Sequence, residues 1–65
     1  MYPQEQKAIL DELQKKYNTP FDSVKDRFWV ESEREGCVYG VWCRGKKDRI
    51  TWTWVRGLGE LRILD

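Results

Sequence analysis

Two hydrophobic periodicities divide this chain. Over residues 3–17 (PQEQKAILDELQKKY) apolar side chains return every three or four positions, and Ile9, Leu10, Leu13 and Tyr17 fall on one stripe. The spacing predicts a helix over about 3–17. Pro3 suits its first position, where the missing N–H costs nothing, and Glu5 stands near the positive end of the helix dipole. Lys15 and Lys16 favour the negative end, Asn18 accepts a left-handed cap conformation, and Pro20 blocks continuation. A helix of roughly fifteen residues is marginal in water by itself, so this one needs a sheet to lie on.

The second periodicity supplies that sheet. RFWVESE, GCVYGVWCR, RITWTWVR and ELRIL are short runs rich in β-branched and aromatic residues. They predict strands over about 27–33, 36–44, 49–56 and 60–64, separated by the turn-forming REG, GKKD and GLG. Short connections between consecutive strands imply antiparallel hairpins. The expected fold is α+β, an N-terminal helix packed on one face of a three- to four-stranded antiparallel β-meander, in a single compact domain covering residues 1–65. Residues 22–34 carry an alternative, a second helix capped by Asp22 with Val24 and Phe28 on one face, although FWV favours strand from about residue 27.

Pairing register decides which side chains each face presents, because side chains alternate across a sheet. Ile50, Trp52 and Trp54 share one face of the third strand, and Thr51, Thr53 and Val55 the other. A four-residue GKKD turn sets Arg44 opposite Arg49, Val41 opposite Trp52 and Tyr39 opposite Trp54. That register gives an apolar face that Phe28, Val30, Leu61 and Ile63 extend and the helix stripe covers, and it is the expected one. A shift by one residue sets Gly40 opposite Trp52 and Val38 opposite Trp54; the glycine then makes room for the indole and Trp42 joins the core. In the expected register Trp42, Val38 and Val55 lie on the uncovered face with Trp29 beside them, an apolar patch of the kind that marks a partner site or self-association. The competing reading of Trp42 is a surface aromatic beneath Arg or Lys side chains.

Composition narrows the function classes. A chain of 65 residues has a small core, and nine aromatics, four of them Trp, supply its bulk. With 40% hydrophobic and 35% charged residues the chain is expected to fold rather than stay disordered, despite a mean hydropathy of −0.79. Charges throughout the first twenty residues leave no signal-peptide segment, and no run approaches membrane-spanning length, so a soluble, cytoplasmic protein without membrane contact is expected. Cys37 and Cys43 are six positions apart in one predicted strand, roughly 20 Å, whereas a disulfide needs Cα atoms within about 7 Å. Two thiols that cannot pair suit a reducing compartment, and without any histidine they leave a tetrahedral zinc site short of soft ligands unless carboxylates or a second chain complete it. No metal or cofactor is expected.

Catalysis finds little to work with. Histidine is missing as a general base, Ser23 and Ser32 lie outside any nucleophile motif, and GLGE reads as a turn rather than a phosphate loop. Glu31 and Glu33 are expected on one strand face, as a solvated edge. The chain is therefore expected to be no enzyme but a small protein-binding module, a regulator or inhibitor that occupies a surface of a larger protein, or a homodimer. Trp42, Trp29, Val38 and Val55 are its expected partner-binding residues. Charge supplies the alternative. Residues 21–35 sum to −2 and residues 36–65 to +3, with Arg44, Lys46, Lys47 and Arg49 clustered at one hairpin. A basic hairpin beside exposed aromatics suits single-stranded nucleic acid, those four residues holding phosphates while Trp42 stacks on a base.

Overall fold

Helix α1 (Pro3–Tyr17) begins with Pro3 in its first turn and ends on Asn18, whose left-handed backbone (φ 48°) closes the C-terminus. The computed structural model describes residues 2–64. Gln14 fastens the helix to the chain beyond it, donating from its amide to the Leu10 carbonyl while its side-chain oxygen accepts the Phe21 N–H. Four strands follow: β1 (Asp26–Arg34), β2 (Cys37–Arg44), β3 (Asp48–Val55) and β4 (Glu60–Ile63). They form one antiparallel sheet in the order β1-β2-β3-β4, the meander on which α1 lies. Residues 22–26 make a single turn and not a second helix: the Asp22 carboxylate accepts the Val24 and Lys25 N–H groups, and the strand starts at Asp26.

The β2–β3 register corrects the expected one by a single residue. Arg44 stands opposite Asp48, not Arg49, leaving a three-residue loop of Gly45, Lys46 and Lys47. Gly45 takes a positive φ of 73°, which lets the chain reverse this tightly. The shorter loop also replaces an Arg–Arg pair across the strands with an Arg–Asp pair, the electrostatically favoured arrangement. In consequence Val38, Gly40 and Trp42 share a face with Ile50, Trp52 and Trp54, and α1 covers it with Ile9 and Leu13. Trp42 and Val38 are fully buried there, so their expected place in an exposed patch is overturned.

Gly40 explains how two fully buried indoles fit so thin a layer. Trp52 lies over the bare backbone of Gly40 and stacks on Phe28, with ring centroids 5.2 Å apart and planes within 3°. Trp42, opposite Phe28 and Ile50, meets Tyr17 of α1 edge-on at 5.7 Å. Leu61 and Ile63 of β4 lie opposite Trp54 and Trp52 and complete the layer.

A bulge in β1 sorts two acids onto opposite faces. Val30 pairs with Gly40 but Ser32 with Tyr39, so Glu31 is the extra residue and alternation restarts one position late. Glu33 thereby falls opposite Val38 on the helix side, away from Glu31, which overturns their expected sharing of a face. There Glu33 accepts a hydrogen bond from Arg56 Nη2 at 3.2 Å, while Arg56 grips Glu5 of α1 through Nε and Nη2 at 2.9–3.0 Å. This fork ties the start of the helix to the β1–β2 end of the sheet. The Arg56 hydrogen bond holds the Glu33 carboxyl below its ordinary value of 4.5. A depressed carboxylate stabilises the fold above its unfolded-state pKa and loses that contribution as pH falls through the folded-state value. Melting temperatures of the wild type and Glu33→Gln should therefore differ at pH 6 and converge as the solution is acidified below about pH 4; a gap independent of pH would mean that the Arg56 contact does not set it.

Candidate functional site

The face of the sheet away from α1 carries Arg27, Trp29 and Arg34 from β1, the side chains of Cys37, Tyr39, Val41 and Cys43 from β2, and those of Arg49, Thr51, Thr53 and Val55 from β3. Val41 is nonetheless fully buried, flanked by Trp29 on one neighbouring strand and Thr51 on the other. Thr53 satisfies its hydroxyl by donating to the Val38 carbonyl. Arg34 sits 5.7 Å above the Tyr39 ring.

At the hairpin end this open face deepens into a cleft of about 700 Å³. One wall is the turn at Val24 and Lys25, the other the tip at Gly45 and Lys46, and Arg27, Trp29 and Cys43 lie between them. A single buried carboxylate sets the spacing of the walls. Asp26 accepts the Asp22 N–H on Oδ2 (2.7 Å) and the Gly45 N–H on Oδ1 (3.2 Å), binding the turn to the tip. Asp26 faces away from the cleft, whose charged lining consists of Lys25, Arg27 and Lys46. Trp29 is 38% exposed and Val24 90%. Three cations around a half-exposed indole suit a ligand that joins negative charge to a flat ring.

Comparison with family models, curated proteins and solved structures found no match.

The structure distributes the sequence-predicted residues over three places. Trp29 and Lys46 meet in the cleft, and Val55 is half-buried on the same open face. Arg44 and Lys47 lie round the other side of the tip, near Tyr17 and Asp48. Arg49 reaches from β3 across β2 to Glu31 on β1, forming a 3.0 Å ion pair on the open face. Trp42 and Val38 are in the core. Sequence reasoning missed Lys25 and Arg27. Arg27 was within reach, since the register that buries Trp42 also sends Arg27, Trp29 and Cys43 to one face; Lys25 depends on the turn that Asp22 and Asp26 build, which alternation does not encode. Among the described residues no helix is long and apolar enough to cross a membrane.

Proposed function

We propose that this chain is a small non-enzymatic binding module that takes single-stranded nucleic acid on its open sheet face. The observation that carries the reading is Trp29, half-exposed in a cleft whose charged side chains are Lys25, Arg27 and Lys46. Cations that track a backbone beside an aromatic platform are the means by which sheet surfaces hold unpaired strands. Tyr39 under Arg34 offers a second ring farther along the same face. A single strand is favoured over a duplex because stacking on Trp29 needs an unstacked base. The protein-interface reading, a regulator or inhibitor on Trp42 with Trp29, Val38 and Val55, is weakened because Trp42 and Val38 are buried beneath α1, which leaves it Trp29 and Val55 on the open face.

Tryptophan fluorescence tests the proposal directly, since Trp42, Trp52 and Trp54 are at most 8% exposed and Trp29 alone among the four is open to a quencher. Titration with oligothymidylate or oligouridylate should quench the emission. Three phosphate contacts imply that log K falls with log salt at a slope of about −2. Trp29→Ala should weaken binding by about 1–3 kcal/mol, measured by anisotropy of a labelled strand. A flat titration at low salt from a folded sample would remove the proposal.

A further inference from the structure

Arg49 extends the cationic surface of the open face onto β3, yet Glu31 occupies its guanidinium. The ion pair spans β2, from β3 to the bulged residue of β1, and so lies on the face to which the proposed function assigns the strand. Both partners are accessible, with Arg49 and Glu31 side chains 63% and 43% exposed. Such pairs contribute little to stability and exchange readily. Arg56 shows the contrast: two of its nitrogens are engaged by Glu5, which is only 16% exposed, and Glu33 adds a further contact. One arginine is locked and the other is held loosely. A guanidinium donates to phosphate oxygens as it does to carboxylate oxygens, and Arg49 gives Glu31 a single bond from Nη2 to Oε1 at 3.0 Å, so a backbone phosphate can compete for that position without any rearrangement of the sheet.

We infer that Glu31 is an internal stand-in for a backbone phosphate: it holds Arg49 extended over the open face and competes with an incoming strand for it, so that the wild-type complex forms without the Arg49 contact and binds more weakly. This inference rests on the nucleic-acid reading of that face. In competition for Arg49 the free protein's own carboxylate lowers the apparent affinity, and removing it releases a further phosphate contact.

The test is anisotropy of a labelled oligothymidylate at low and moderate salt with the wild type, Glu31→Gln, Arg49→Gln, the double variant, and Glu35→Gln. The last makes the same charge change in the β1–β2 turn. Glu31→Gln should tighten binding several-fold and steepen the salt slope by about 0.7, one more phosphate on a single strand. The gain should shrink to the level of Glu35→Gln once Arg49 is also replaced, which a double-mutant cycle reads as coupling between the two residues. Wild-type binding with equal gains in the presence and absence of Arg49 would overturn it and leave the functional reading standing, whereas no binding by the wild type would overturn both. Thermal melts of all five proteins, expected to coincide closely, separate these outcomes from a loss of fold.

Discussion

Gly40→Ala is expected to cost about 3 kcal/mol or more, the upper range for forcing extra volume into a packed layer. An added methyl at this position would run into Cζ2 of Trp52 and the Trp29 carbonyl oxygen, and would stand 2.8 Å from Trp52 Cη2. The carbonyl belongs to the neighbouring strand's backbone and cannot move aside without breaking the β1–β2 ladder. The indole is fixed by its stack on Phe28. A chain of this length has a total stability of roughly 3–10 kcal/mol, so the variant should lose most of its resistance to urea, measured by circular dichroism. A midpoint close to wild type would contradict the register itself, because only the pairing of Gly40 with Trp52 places the indole there.

Trp42→Ala should be similarly damaging, at about 3–5 kcal/mol, because it empties a fully buried site between Tyr17, Phe28 and Ile50. Trp42→Phe should cost clearly less. The indole Nε1 of Trp42 is buried with no hydrogen-bond partner among the described residues, and an unmade bond of that kind costs about 1–3 kcal/mol, which phenylalanine avoids while keeping a ring. Trp29→Ala should change stability by only about 1 kcal/mol, as expected for a half-exposed side chain, although it is the variant expected to lose ligand. Chemical denaturation of the three proteins side by side checks this ranking. Equal losses for Trp29→Ala and Trp42→Ala would mean that the open face is as tightly packed as the covered one.

These two tryptophans also show where the sequence was legible. Helix α1 could be read closely, since Pro3, the Ile9–Leu13 spacing and Asn18 are local signals that tertiary contacts did not override. The strands and their meander were equally visible in the alternation of apolar residues and the glycine turns. Which face each β2 residue presents was not, because that depends on loop length at the tip, and GKKD admits a three- or four-residue reversal. Two signals favoured the shorter loop: Arg44 gains Asp48 in place of Arg49, and Gly40 rather than Val41 receives the Trp52 indole. The error moved Trp42 and Val38 to the wrong face and with them the expected anchor of the site. The bulge after Val30 carries no comparable sequence signal, so the separation of Glu31 from Glu33 required the structure.

That bulge also bears on how the molecule behaves in the company of its own copies. A long, flat edge strand offers unpaired N–H and C=O groups to any other chain and invites sheet-to-sheet growth into fibres. Here β1, the longer edge, is kinked at Glu31 and carries charged residues on either side of the kink, while β4, the opposite edge, runs for only four residues. Neither border offers a good template for another strand. The irregularity that divides two glutamates between the faces thus also protects a tryptophan-rich sheet from aggregation.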